Sequence, residues 1–387
     1  MKKVLFLQNK GNNYGGVWQV NKLVGEELQK NNYVVSIVSI RNSKKNENVN
    51  KDTKLNTFII NEKDVWGTFQ GREILSELKK KNMFNACKML FLRIVYKIKL
   101  KIDKKELCKY IKSMNPNYII TSQYELLNMI PKKYLARTVH QQHSSFSDFS
   151  KHKATVKTML KYNNKIGYLW LSKETMKKAR EMGLNNNYCI YNAARIESKK
   201  IANVLKNKKL VTIARLADQK DIGTMIDIVE EIFKDKKFDN WNLEIYGNGP
   251  KETEIRERIN NSRIKMMGPT NDPKKVLLSS SINLNTSLFE GFSMSILEAQ
   301  ECGVPTISFN YWESVYEQIL DNKTGIIVEN KEEYINKLKE LMLNEEKLLQ
   351  LSKNAKEFSN EFHIDKIVDE WINMFDKIDK AVSYEKI

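Results

Sequence analysis

Apolar and polar positions fall in blocks along the chain. KVLFLQ (3–8) is a short apolar run, followed by the polar loop NKGNNYGG and a helical stretch from Val17 to about Lys30. YVVSIVSI (33–40) is rich in β-branched residues and follows two asparagines that end that helix. NYIITS (117–122), LARTVH (135–140) and IGYLWLS (166–172) read as further strands, each followed by polar or helical sequence. The second half repeats the pattern more cleanly. Its strands are KLVTIARL (209–216), NLEIYGNG (242–249), SINLNTS (281–287), VPTISF (304–309) and GIIV (325–328), and a helix DIGTMIDIVEEIFKD follows the first. From Lys331 onward the pattern is almost all helical. Short apolar strands alternating with helices predict βαβ units and parallel sheets.

The chain has 387 residues, more than one ordinary core accommodates, so two domains are expected. The expected boundaries are an N-terminal domain over 1–190, a linker over 191–208 that lacks a core pattern, and a C-terminal domain over 209–362. The predicted fold class is α/β: two doubly wound Rossmann-like domains facing each other across a cleft. Ligands of such sheets bind outside the carboxyl ends of the strands. Apolar residues make up 41% and charged residues 29%, which suits packed cores and excludes global disorder.

A formal net charge of +18 favours an anionic partner: a nucleotide, a phosphate-rich polymer, nucleic acid or an acidic membrane. A general Lys-, Asn- and Ile-rich bias is the other source of that surplus. No basic–aromatic module or zinc spacing appears, so nucleic acid is not the expected partner. Cys87, Cys108, Cys189 and Cys302 form no CxxC pair and no metal-ligand spacing, which fits a reduced, cytoplasmic protein. The apolar run in MKKVLFLQNKGNN ends too early for a signal peptide, and no stretch approaches transmembrane length.

Three stretches carry candidate chemistry. In KGNNYGG (10–16), Gly15 and Gly16 let backbone amides approach a phosphate or sugar at a helix N-terminus. The spacing is not GxGxxG, and a plain βα turn is the alternative. In ARLADQKDI (214–222), Arg215 and Lys220 lie in a strand-to-helix connection, where fixed positive charge suits a departing diphosphate. Two solvated surface cations are the alternative. In EGFSMSILEAQECGVPTIS (290–308), Ser293 is an expected N-cap for a helix through Cys302, and Glu298 falls in its second turn. Free amides there can hold phosphate oxygens, and Glu290 and Glu298 can accept hydrogen bonds from sugar hydroxyls on either side. Two surface glutamates flanking an amphipathic helix are the alternative, against which stand the apolar faces of that helix.

These residues resemble the retaining glycosyltransferases of family 4, the group 1 transferases, which have the two-domain GT-B fold. EGFSMSILEAQECGVPTIS is similar to the family's E-x7-E motif, and ARLADQKDI to its Arg-x4-Lys pair. IYNAARIE resembles its strand–Asn junction, TVHQQH (138–143) its strand ending in an active-site histidine, and YGGVWQVNKLV its N-terminal glycine loop. The resemblance is strongest over about 209–330. It implies a nucleotide-sugar donor, with UDP as the expected base, bound by the C-terminal domain. Glu298 would hold the ribose and Glu290 the donor sugar, while the amides of Phe292, Ser293 and Met294 cover sugar and phosphate. Arg215 and Lys220 would neutralise the diphosphate. His140 would contact the sugar near the reacting carbon, with His143 as a second candidate. The helix over 363–387 would cross back to the N-terminal domain. The chain has no Asp-x-Asp triplet, so neither a metal nor another cofactor is expected. It also lacks the long inserted domain of some wall teichoic acid glucosyltransferases, which points away from that role.

The stretch 84–111 is basic and apolar. Arg93, Lys97, Lys101 and Lys104 fall along one helical stripe, with Leu90, Ile94, Ile98 and Ile102 near another, as in a helix that lies on an anionic membrane surface. An ordinary cationic helix, or a strand alternating through YKIKLKI, is the alternative. The expected activity is transfer of a hexose from a nucleotide-diphosphate sugar to a hydroxyl of a cell-surface polysaccharide or lipid-linked glycan precursor, in the cytoplasm or at the inner face of the membrane. The alternatives are a polyol-phosphate or lipid acceptor, and a non-catalytic GT-B-like subunit that binds a partner.

Overall fold

The computed structural model describes residues 1–10, 16–41, 53–61 and 83–384. Two parallel sheets dominate, as the alternating pattern predicts. The first runs β3-β2-β1-β4-β5-β6-β7. Its strands are β1 (Lys3–Lys10), β2 (Val34–Arg41), β3 (Asn56–Asn61), β4 (Tyr118–Thr121), β5 (Thr138–Gln141), β6 (Gly167–Trp170) and β7 (Asn187–Cys189). The second runs β10-β9-β8-β11-β12-β13. Its strands are β8 (Lys209–Ile213), β9 (Asn242–Tyr246), β10 (Ile264–Gly268), β11 (Ile282–Asn285), β12 (Thr306–Phe309) and β13 (Gly325–Val328). In both, the chain starts at an inner strand and winds outward in both directions. That reversal makes a topological switch point, between β1 and β4 and between β8 and β11.

The described chain divides into two compact units, one of 1–141, 161–168 and 375–387, the other of 142–160 and 169–374. In the first, β1 pairs in parallel with β2 and β4, with Val4 opposite Val35 and Tyr118. Val4, Leu5, Phe6 and Leu7 are all fully buried, because helices cover both faces of a parallel strand. The end of the helix Ile364–Tyr384 belongs to this unit. There Phe375 stacks on Tyr118 at 4.1 Å between centroids, and the Tyr118 hydroxyl donates to Asp379 at 2.7 Å. Lys2 Nζ completes the cluster at 2.9 Å from Asp379. In the second unit Val211, Leu243, Ile282, Leu284 and Ile307 form the core of the sheet.

Several expected elements shift. LARTVH is not one strand: Lys132–Arg137 is a 3-10 turn after Pro131, and only Thr138–Gln141 pairs with the sheet. Thr138 Oγ1 donates back to the Tyr134 carbonyl at 2.8 Å, which closes that turn. Residues 83–114 form one continuous helix, so YKIKLKI does not alternate as a strand. Strands β3, β7 and β10 have no counterpart in the sequence reading. All three are sheet edges or end strands with partly exposed residues, so they lack the continuous apolar run that marks a central strand.

Candidate functional site

The second unit gathers the C-terminal motifs at the carboxyl ends of β8 and β11. The chain leaves β8 through an exposed Arg215, makes a 3-10 turn over Asp218–Lys220, and enters the helix Ile222–Ile232. Asp221 caps that helix by accepting from the Thr224 amide at 3.3 Å. The turn is fastened to the loop after β11: Thr286 Oγ1 lies 2.9 Å from the Lys220 and Asp221 carbonyls, and the Leu288 amide donates to the Gln219 carbonyl at 2.8 Å. Gly247 holds the next loop against this one. Its φ is +136°, and a Cβ there would meet the Ala214 carbonyl oxygen at 1.9 Å.

Glu290 ends the loop after β11 and is 8% exposed. Its carboxylate accepts from Lys220 Nζ, from Ser287 Oγ at 2.9 Å and from Gln219 Nε2 at 3.3 Å. Lys220 and Glu290, expected to serve a diphosphate and a sugar separately, are therefore an ion pair. Arg215 differs from Lys220: among the described residues its guanidinium has no ion-pair partner.

Gly291 follows because nothing larger fits. A Cβ there would lie 1.9 Å from the His143 carbonyl oxygen, a backbone atom with no freedom to yield. This is where the structure places His143, by its backbone. Phe292 turns into a buried cluster, stacked on Tyr191 at 5.2 Å and edge-on to Phe362 at 5.7 Å. The Ser293 amide donates to Gln318 Oε1 at 2.9 Å. Ser293 is the N-cap residue of the helix Met294–Glu301, but its hydroxyl makes no capping bond and instead meets Asn285 at 3.3 Å and Ser295 at 3.2 Å. The helix stops at Glu301, with Cys302 as its C-cap. Burial pushes the Cys302 thiol up to about 12, so it is no nucleophile.

Glu298 is 1% exposed and ion-paired with Arg195 Nε. Arg195 was missed in the sequence, although it sits inside the junction IYNAARIE; its partner lies 103 positions away, and no local pattern links them. One turn further on, Glu301 is also 1% exposed and accepts from Lys356 at 2.7 Å, Ser359 at 2.8 Å and the Ser198 amide at 2.8 Å. His363 Nε2 lies 3.1 Å from the same carboxylate. Burial alone would raise the Glu301 carboxyl, but Lys356 and these hydrogen bonds hold it below the usual carboxylate range. The two glutamates thus tie residues 195 and 198 to one helix.

The first unit holds the remaining predicted residues. His140 is the third of the four residues of β5, so the strand expected to end at it runs one residue further, to Gln141; it is 1% exposed and has Nδ1 3.1 Å from Thr121 Oγ1 on β4. Gly16 is the first residue of the helix Gly16–Lys30, and a Cβ there would meet nothing within 4 Å. Gly15 lies outside the described residues, as does the side chain of Arg93.

Residues 194–358 match the family Glycosyl transferases group 1. An uncharacterized glycosyltransferase of Haemophilus influenzae is 27% identical over 96% of this chain and 99% of its own length. A poly(ribitol-phosphate) alpha-N-acetylglucosaminyltransferase of Staphylococcus aureus is 26% identical over 60% of this chain, which spans about half of that relative (48%). Among solved structures, an S. aureus TarM mutant in complex with fondaparinux, alpha-GlcNAc-glycerol and UDP superposes with a TM-score of 0.76 at 16% identity, covering 97% of this chain and 100% of that one. Anabaena HepE in complex with UDP and glucose gives 0.72 at 14% identity, covering 97% and 100%. At these identities the structural likeness speaks to the fold, which is GT-B.

Proposed function

We infer that this chain, a glycosyltransferase by its group 1 match and its relatives, moves a hexose from a UDP-sugar to a hydroxyl of a cell-surface glycan precursor with retention of configuration. Residues 209–362 bind the donor, residues 1–190 together with 363–387 bind the acceptor, and 191–208 join them. The observation that carries this is the pairing of Glu290 with Lys220 and of Glu298 with Arg195, flanking the start of one helix. A polar, anionic ligand can open the first pair, the diphosphate taking Lys220 and sugar hydroxyls taking Glu290, while Arg195 holds the buried Glu298 in place for the ribose hydroxyls. Arg215 adds a second positive charge beside Lys220, and His140 meets the sugar near the reacting carbon. The C1–O bond to the phosphate breaks as a C1–O bond to the acceptor forms on the same face, and the acceptor proton passes to the departing phosphate oxygen. No metal takes part, because the cations neutralise the diphosphate.

A polyol-phosphate acceptor is the second reading. The S. aureus relative named above and a Bacillus subtilis poly(glycerol-phosphate) alpha-glucosyltransferase, 25% identical over 44% of this chain, favour it. A membrane surface is the proposed site of action. No described helix is long and apolar enough to cross a bilayer. The helix Met83–Met114 instead exposes Leu90, Ile94, Ile98 and Ile102, each by more than half of its surface (51–56%), beside the exposed Lys97, Lys101 and Lys104.

Thermal stabilisation across a panel of nucleotide-sugars tests the donor, since a ligand of the native state raises apparent stability by mass action. The expected result is a shift with one UDP-sugar, and turnover that survives excess EDTA with an axial product linkage by NMR. No shift with any nucleotide-sugar, or activity that a divalent cation restores after EDTA, overturns the corresponding part.

A further inference from the structure

A cavity of about 410 Å³ opens in the first unit among the carboxyl ends of β1 and β2, the turn after β4, and the helix Met83–Met114. It stands beside the switch point of the first sheet, where a doubly wound fold receives its ligands. Its lining is of two kinds. Ile40, Leu126 and Met129 make an apolar wall, and Arg41, Lys101 and Lys104 supply cations, with Glu125 as the one carboxylate.

Arg41 is the unusual member. It is only 5% exposed; the buried Asp103 acts on it electrostatically but accepts its hydrogen bond from Asn61, at 3.3 Å, and no carboxylate lies within ion-pair distance of Arg41 among the described residues. Its guanidinium carbon sits 5.0 Å from the Tyr96 ring centroid, so one face is covered by an aromatic ring that also lines the cavity. A buried guanidinium is costly unless a hydrogen-bonding anion meets it. Its planar fork of donors fits two oxygens of one phosphate, and the neighbouring lysines add point charge to the same anion. Lys104 already donates to the Asn128 carbonyl at 2.7 Å, which leaves Lys101 as the exposed, movable cation.

We propose that this cavity is an acceptor subsite that recognises a phosphate group, with Arg41 and Lys101 as its ligands and the Ile40–Leu126–Met129 wall covering the carbons next to it. The proposal rests on the acceptor reading above and specifies its chemistry. β5, which carries His140, lies three strands from β2, which ends at Arg41, about 14 Å at ordinary strand spacing. A phosphate held at Arg41 is therefore offset along the sheet edge from the histidine expected at the reacting carbon. The acceptor would be read one phosphate away from the hydroxyl it offers.

Calorimetric titration of the full chain saturated with UDP tests this, because UDP then occupies the diphosphate site and a second phosphate has to bind elsewhere. The probes are glycerol 3-phosphate, octyl phosphate and glycerol. Either phosphate is expected to bind while glycerol does not. Arg41→Gln and Lys101→Ala should each weaken binding at least tenfold, Arg41→Lys should restore part of it, and UDP affinity should stay unchanged. Preference for glycerol 3-phosphate identifies a polyol-phosphate source, and preference for octyl phosphate a lipid phosphate. If Arg41→Gln fails to fold, Lys101→Ala decides. No binding of either phosphate to the UDP-loaded chain, or binding indifferent to Lys101→Ala, overturns the subsite while leaving the donor reading intact. Failure of UDP itself to bind strikes the donor reading instead.

Discussion

Lys220 and Glu290 hold each other: the lysine ammonium of one loop pairs with the glutamate carboxylate of another, 70 positions away, and the carboxylate is almost fully buried. Removing one partner of such a pair leaves the other charged and buried, which costs several kcal/mol. The pair therefore has a structural use apart from any ligand, and that use has to be separated from catalysis.

Lys220→Ala should lower kcat about 100- to 1,000-fold, more than it weakens donor binding, because the charge on the departing diphosphate grows in the transition state. Lys220→Ala combined with Glu290→Gln should recover part of the lost thermal stability but none of the rate. Single-turnover rates and melting curves on the two variants separate the two uses. Full recovery of the rate in the double variant would show the pair to be structural alone.

Glu298→Gln should mainly weaken donor binding, with kcat less affected, since a ribose hydrogen bond is made equally in ground and transition states. Arg195→Ala should do the same by a different route, leaving the buried Glu298 without its cation. Donor titration against kcat decides it. Turnover abolished with donor affinity intact would reverse the roles given to Glu298 and Lys220.

Gly291→Ala should be destabilising by about 1–3 kcal/mol or more, because the new methyl would lie 1.9 Å from the His143 carbonyl oxygen and one backbone has to move. Gly16→Ala, where a Cβ meets nothing within 4 Å, should leave the unfolding midpoint nearly unchanged. Denaturant melts of both variants make the comparison.

Acid should loosen the 195–198 segment through Glu301. Its carboxyl is depressed in the folded state from an ordinary 4.5, so it contributes stability at pH values above 4.5. That contribution is lost as the pH falls from 4.5 through the lower folded value. Glu301→Gln should cost about 3 kcal/mol at pH 7 and flatten the pH dependence of stability below 4.5. Urea midpoints across pH 3–7 check it, and parallel curves for the two proteins would refute the assignment.

The long helix should bring the protein to anionic vesicles. Each lysine near such a surface contributes about 1 kcal/mol. Lys97→Gln with Lys101→Gln and Lys104→Gln should therefore abolish co-sedimentation in low salt, and Ile94→Ser with Ile98→Ser should weaken it at all salts. Equal partitioning of the parent protein to neutral vesicles would remove the electrostatic part, and no partitioning to either kind would remove the whole.

What was legible in the sequence follows from what is local. KVLFLQ and SINLNTS read as strands because a central parallel strand is buried on both faces, so most positions are apolar or small, and the buried Gln8, Asn283 and Asn285 are hydrogen-bonded to Ser39, Thr306 and Ser293. The glutamates 290 and 298 read as a unit because one helix start separates them, and that spacing survives in any surroundings. The edge strands β3 and β10 escaped because one side of each lacks a neighbour, and exposed positions such as Asn56, Lys265 and Met267 interrupt the apolar run. Tertiary structure alone decided which charges meet. Nothing near Glu298 announces Arg195, nothing near Glu301 announces Lys356 and His363, and Phe292 reads as a loop residue until Tyr191 and Phe362 close around it. Spacing along a chain sets the local shape. A buried carboxylate takes its cation from whichever segment the fold brings alongside, because in a desolvated interior the partner has to be near in space, whatever its distance in sequence.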